Sequence, residues 1–389
     1  MKFLEVIGHK EVKSKLIRMV RGGKTPHAIM LLGPEGNGNL AVALALTQFV
    51  QCENQSENDS CGTCPSCLRN QKFIHPDVHF SFPVYKPEKK NSPPVSADYM
   101  TNWRSALAQN AYMSYNDWMQ YIEAENKQGK ITADECREII HHLSLKTYEN
   151  GYKIHIIWLA ECLGNEGNIL LKSLEEPPPK TVFILIAESS EHMLTTILSR
   201  VQIIKVNAID DEDLKEALLK KFEMDENTAK RIARISDGNL NTAISIADGA
   251  ENANDATLRQ WLLCCFNLKQ KPSADNTKNL NEWIDEFSKT GRENQKIFLK
   301  YALFFLRECS QVSILGQSGK LEGDELQFAS KLSARLSAEQ FETLSKIFSR
   351  MSYYIERNCN PKILFMSNSF KIASVFKNEE VPEDGISLS

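Results

Sequence analysis

Residues 27–46 read HAIMLLGPEGNGNLAVALAL: an apolar run at 28–32, a glycine-rich turn at 33–39, then a second apolar run that continues to residue 50. A short apolar run leading into such a turn reads as a strand. The run after it is apolar almost all round, which fits a helix buried beneath a sheet. The turn has the spacing of a phosphate-binding loop, G-x-x-x-x-G-K-[ST]. In a working loop the lysine reaches the β- and γ-phosphates and the hydroxyl holds Mg²⁺. Here Gly33, Gly36 and Gly38 are kept, but Asn39 stands at the lysine position and Leu40 at the hydroxyl position. Asparagine carries no charge and leucine no oxygen. The backbone N–H groups of Gly33, Gly36, Asn37, Gly38 and Asn39 can still cradle a phosphate. Whether nucleotide binds is therefore open at this level, while hydrolysis lacks its chemistry. The competing reading is a chance glycine turn.

A second defect weighs against chance. The stretch 153–161, KIHIIWLAE, reads as a buried strand. In P-loop ATPases the strand that carries the Mg²⁺ aspartate ends in acidic residues. Trp158 and Leu159 occupy that point, and Glu161 comes three residues late.

Further apolar runs at 78–84, 181–187 and 201–206 alternate with helical stretches at 11–21, 132–146 and 165–176. Thr132 and Glu135 have the spacing of a capping box, and Pro177-Pro178-Pro179 stops the third helix. Strands alternating with helices give a parallel α/β sheet. Between about 85 and 131 lies an insertion containing Tyr99, Trp103, Tyr112, Tyr115, Trp118 and Tyr121. Aromatics of this kind stack on bases in some proteins; packing on the parent domain is the preferred reading. Three short helices follow at 212–248, then a helical region rich in Leu, Phe and Tyr. The expected division is an α/β domain at 1–207, a small helical domain at 208–250, an all-helical domain at 251–377 and a disordered tail at 378–389.

Cys52, Cys61, Cys64 and Cys67 are spaced C-x8-C-x2-C-x2-C. Four thiolates on such turns make a closed tetrahedral zinc site of structural type. Free thiols, a disulfide pair and an iron–sulfur cluster are the alternatives, although the ferredoxin run needs a fourth cysteine after three residues and then a proline. Cys264 and Cys265 read as helix core, and His75, His141 and His142 have no metal partners at suitable spacing.

The 389 residues carry a net charge of −4, with 42% apolar and 25% charged residues. No global basic field points to nucleic acid, and no apolar run approaches the roughly 18 residues of a membrane span. The first residues, MKFLEVIGHKEVKSK, lack the apolar core of a signal peptide. A cytoplasmic protein with reduced cysteines is expected.

Together HAIMLLGPEGNG, the four cysteines, HPDVHF, KIHII, NILLKSLEEPPPKTVFILIAE, ILSRV, ISDGNLNTAISIAD and NPKILF resemble, in order, the AAA+ clamp-loader subunits of bacterial DNA polymerase III. The resemblance implies a RecA-like AAA+ domain carrying the zinc module at 52–67, a helical lid and a collar that packs in a hetero-oligomeric ring. Its partners would be tau/gamma motor subunits and a delta subunit, with the sliding clamp and primer–template DNA reached through the complex. Loss of the hydrolytic residues implies the non-hydrolysing, delta-prime type of subunit, a stator. The family's Ser-Arg-Cys motif falls on Ser199-Arg200-Val201, with valine for cysteine, and its arginine serves ATP held by a neighbour. Taken alone, an arginine at a strand edge is usually a solvated residue. The family's lid arginine falls on Asn241. The insertion departs from the family pattern. A tau/gamma-type motor and a free-standing zinc enzyme are the alternatives; Asn39, Leu40, Trp158 and Asn241 count against the first and the closed thiolate set against the second.

Overall fold

The computed structural model describes residues 1–85, 93–124, 127–148, 151–248, 254–270, 273–316, 320–357 and 359–379. The chain divides into two units, Met1–Ala243 and Ile244–Ser389. Parts of the insertion and nearly all of the expected tail lie outside the described residues.

Five strands build the sheet of the first unit: β1 (Ala28–Leu32), β2 (Val78–Ser81), β3 (Lys153–Trp158), β4 (Thr181–Ala187) and β5 (Gln202–Lys205). Their order is β2-β3-β4-β1-β5, and every pairing is parallel. Every residue of β3 and β4 is buried, as expected where helices cover both faces of a parallel sheet. β5 lies at one edge and exposes three of its four residues. The helix Asn39–Gln51 is buried along its whole length. It packs on β1, β3 and β4 and is covered by the helices Lys10–Arg21 and Pro65–Gln71, which is why no residue in it needs to be charged. On the opposite face Ile139, Leu143, Leu163, Leu170 and Leu174 pack on Met30, Phe183 and Leu185.

Three elements differ from the sequence reading. β2 stops at Ser81; beyond Pro83, which has no N–H to donate, Val84 forms an antiparallel bridge with Lys130. The helix expected at 165–176 begins as 3-10 turns over Ala160–Leu170, broken at Gly164 (φ 49°), and is α-helical only at Leu171–Glu175. Thr132 caps the helix Ala133–Ser144 by accepting from the Glu135 N–H at 3.2 Å, but Glu135 does not complete a capping box. Its carboxylate turns into the core, accepting from Ser81 Oγ and from the Ser96 N–H at 2.7 Å.

The insertion packs on its parent, as preferred. Trp103 and Trp118 are fully buried. Trp103 stacks on Phe82 at 4.2 Å and lies 5.1 Å from both Trp118 and Trp158.

The second unit is helical, with elements at Asn254–Gln270, Ala274–Phe287, Arg292–Leu315, Gly323–Ser333, Ala338–Glu356 and Pro361–Phe376. Its centre is Trp261, stacked on Trp283 at 5.4 Å, with Nε1 donating to Ser369 Oγ at 2.8 Å.

Candidate functional site: a filled phosphate turn, a four-cysteine cluster and an edge arginine

Ligands of open parallel sheets bind beyond the carboxyl ends of the strands. Here the neighbours β3, β4 and β1 end at Trp158, Ala187 and Leu32, and the glycine turn follows β1 directly. Gly38, at φ 98°, opens the helix Asn39–Gln51. In a working site the amides of such a helix start would face an anion. Instead the turn is bonded to its own chain. Asn39 Nδ2 donates to the Gly33 carbonyl at 2.7 Å, so the side chain at the lysine position folds back onto the loop. The Asn39 N–H donates to Asn37 Oδ1 at 3.2 Å, and Asn37 Nδ2 donates to the Val206 carbonyl at 2.6 Å. The Gly36 carbonyl accepts from the Leu240 N–H at 2.9 Å.

The space left is about 20 Å³, walled by the turn, Ala111, Tyr112, Met113, Trp158, Leu159, Ile186 and Glu188. One water needs roughly 10–15 Å³ measured in this way. Burial pushes the Glu188 carboxyl up to about 8, and the nearby Glu35 and Glu161 carboxylates add to the shift. Burial raises Glu161 as well. Because the folded-state pKa of Glu188 lies above its ordinary value of 4.5, its neutral form stabilises the fold at low pH. That contribution is lost as pH rises from 4.5 through about 8. Glu188→Gln should therefore gain stability relative to the parent as pH rises through this window, on the order of 1 kcal/mol per pH unit at the steepest point. Paired thermal melts from pH 5 to 8.5 check this; parallel pH profiles would mean that the carboxyl is ionised throughout.

Asn241, which the sequence reading set at the family's lid-arginine position, is bonded to the insertion. Its Nδ2 donates to Asp117 Oδ2 at 2.5 Å, and its Oδ1 accepts from Asn110 Nδ2 at 2.8 Å.

The sulfurs of Cys52, Cys61, Cys64 and Cys67 all lie within 4.8 Å of one another, with Cys61 and Cys67 at 3.9 Å. Sulfurs of a tetrahedral site with Zn–S of ~2.3 Å stand ~3.8 Å apart. The backbone N–H groups of Thr63 and Cys64 point at Cys61 Sγ at 3.5 and 3.3 Å and pull that thiol down to about 6. The Cys61 N–H points at Cys52 Sγ at 3.2 Å, and the Cys67 N–H at Cys64 Sγ at 3.4 Å. Burial pushes Cys52 and Cys67 up, a cost that a bound cation would offset. All ten cysteines are free, so the disulfide alternative is not adopted. The four sulfurs fit a metal ion.

Arg200 follows the single turn Thr195–Leu198 and precedes the edge strand β5. Its Nε donates to Glu175 Oε1 at 2.6 Å, and Nη2 reaches the same carboxylate. Nη1 donates to the Thr196 carbonyl at 2.8 Å and to Ser199 Oγ at 3.1 Å. The side chain keeps 30% of its surface exposed.

A family model described as "DNA polymerase III, delta subunit" matches residues 8–210, more than half of the chain. The chain belongs to that family. It is 24% identical to the DNA polymerase III subunit gamma of Buchnera aphidicola subsp. Acyrthosiphon pisum over 64% of this chain and 59% of that protein. It is 22% identical to subunit tau of Bacillus subtilis over 94% and 60%, and 24% identical to subunit delta' of Escherichia coli over 67% and 69%. The chain thus spans about 60% of the gamma and tau relatives. A gamma-subunit-related protein of Thermotoga maritima superposes loosely, at 15% identity and a TM-score of 0.35 over 94% of this chain.

Within this DNA polymerase III family member, the residues of the glycine turn line one small cavity beyond the carboxyl ends of the strands, and the four cysteines form a separate cluster. Arg200 and Ser199 lie apart from the turn, bonded to each other and to Glu175. The sequence reading did not single out Tyr112, Glu188 or Asn239 at the turn. Glu175, the partner of Arg200, lies in the quoted stretch NILLKSLEEPPPKTVFILIAE but was not singled out either.

Proposed function

We propose that the chain is the non-hydrolysing, delta-prime-type stator of a DNA polymerase III clamp loader. Its AAA+ domain runs to about residue 207, followed by a lid to about 250 and a collar at about 251–377 through which it joins tau/gamma motor subunits and a delta subunit. Through that cytoplasmic complex it helps load the sliding clamp onto primer–template DNA. Among the described residues no helix is long and apolar enough to cross a membrane. Ser199 and Arg200 serve a neighbour's ATP in trans. Zinc on Cys52, Cys61, Cys64 and Cys67 supplies a structural crosslink with no open coordination position, tying the loop after the helix Asn39–Gln51 to the helix Pro65–Gln71.

One observation carries this reading. At the turn, the lysine position bonds back to Gly33 and the metal-carboxylate position is an indole, so nothing there can neutralise a transferring phosphoryl group. A guanidinium is instead placed beside the exposed edge strand. A tau/gamma-type motor would need the missing groups. The purified chain alone should hydrolyse no ATP above background, with or without primed DNA, in a phosphate-release assay. Turnover that disappears when Gly36 or Gly38 is altered would refute the stator assignment.

A further inference from the structure

We propose that the insertion is the resident occupant of the nucleotide site: its segment 110–113 seats the Tyr112 ring against the phosphate turn and so excludes nucleotide from this chain. The ring lies on the backbone of Gly38; a Cβ placed there would come within 2.6 Å of Tyr112 Cε1. Gly38 is the residue that opens the helix whose first amides would meet a phosphate. Asn239 also presses on the turn, where a Cβ on Gly36 would meet its Oδ1 at 2.0 Å. About 20 Å³ remains, whereas pockets that hold small ligands begin at roughly 300 Å³.

The plug is anchored rather than draped over the site. Tyr112 is only 8% exposed. Its hydroxyl accepts from the Ile7 N–H at 2.9 Å, and its own N–H donates to Asn110 Oδ1 at 2.8 Å. Asn110 reaches on to Asn241, which is held in turn by Asp117 of the same insertion. Behind the segment, Trp103 and Trp118 are locked into the cluster that includes Trp158, the indole at the metal-carboxylate position. One inserted segment thus covers the phosphate turn, the metal position and the lid-arginine position.

The makeup of the walls points the same way. Glu35 and Glu188 line the space that a polyphosphate would enter, with Glu161 bonded to the Glu188 N–H at 3.0 Å. A site for ATP or ADP presents cations to the phosphates; among the described residues that line this one there is no lysine or arginine. The proposal deepens the stator reading by naming what removes nucleotide, but its test uses no partner, so its failure would leave the role of Arg200 untouched.

The test is calorimetric titration of the full zinc-loaded chain with Mg-ADP and Mg-ATP, paired with thermal melts in the same ligands. The expected result is no binding heat and no rise in melting temperature up to about 1 mM nucleotide. One-to-one binding tighter than roughly 100 μM would overturn the proposal. The double variant Asn39→Lys/Leu40→Thr returns the missing lysine and hydroxyl while leaving Tyr112 in place. It should also fail to bind, and adding Tyr112→Ala should then confer binding and a nucleotide-dependent rise in melting temperature. Binding by the double variant with Tyr112 intact would show that side-chain chemistry, not the plug, excludes nucleotide.

Discussion

Purified from zinc-replete cells, the chain should carry about one zinc per molecule, and Cys67→Ala should remove it. Cys67 is fully buried among Cys52, Cys61 and Cys64, and burial raises its thiol. Four thiolates crowded within 4.8 Å repel one another unless a cation holds them. Structural zinc in small finger peptides contributes about 10–16 kcal/mol at neutral pH. Here the module adjoins a large prefolded unit, so the loss should be local. The helix Pro65–Gln71 and the loop that precedes it should open, and with them the contact in which Asp59 accepts from the N–H groups of Phe3 and Leu4 at 3.0 and 2.9 Å. Hydrogen exchange should accelerate across 52–71 and the first residues while β1, β3 and β4 stay protected. Metal analysis finding no zinc, or iron with a visible charge-transfer band, would contradict the assignment.

Arg200→Ala should leave the melting temperature almost unchanged and lower the ATPase of the assembled complex. The pair with Glu175 is partly exposed on both sides, and exposed pairs contribute at most about 1 kcal/mol. A guanidinium forked onto the γ-phosphate oxygens of a neighbour is a different matter. Such fingers contribute about 10³–10⁵ in rate in GTPases, so hydrolysis at the adjoining site should nearly cease, while a ring with several ATP sites retains turnover at the others. Arg200→Lys should rescue poorly, because it keeps the charge but not the fork. In the free chain Glu175 holds Nε and Nη2, so the guanidinium must exchange a carboxylate for a phosphate when it engages a partner. The opposite pattern, a lower melting temperature with unchanged ATPase per ring, would make Arg200 a structural cap of the sheet edge.

Much of the first unit was legible because parallel sheets buried on both faces leave near-continuous apolar runs, as in KIHIIW and TVFILIA. β1 and β4 span the expected residues, β5 and the buried helix after the turn lie within a residue of theirs, and β2 ends three residues early. The four cysteines were legible because metal chemistry fixes their spacing. The other findings depend on contacts distant in sequence. Nothing local to Tyr112 says that its ring lies on Gly38, because the partner is 74 residues earlier in the chain. Glu135 looked like the second half of a capping box by spacing alone; its burial beside Ser81 and Ser96 outweighs the cap. The helix expected at 165–176 is 3-10 as far as Leu170 and α-helical only at Leu171–Glu175, a distinction that apolar spacing does not carry. The pairing of Arg200 with Glu175 joins two separately quoted stretches, and only the fold shows that they meet.

The account stands or falls on which of two sites in this chain governs ATP hydrolysis by the complex. The decisive measurement is DNA-stimulated ATPase per assembled complex, reconstituted with the parent chain, with Asn39→Ala at its own turn, or with Arg200→Ala at the edge. The expected result is full activity with Asn39→Ala and a large loss with Arg200→Ala, at equal assembly. Loss with Asn39→Ala and full activity with Arg200→Ala would contradict it.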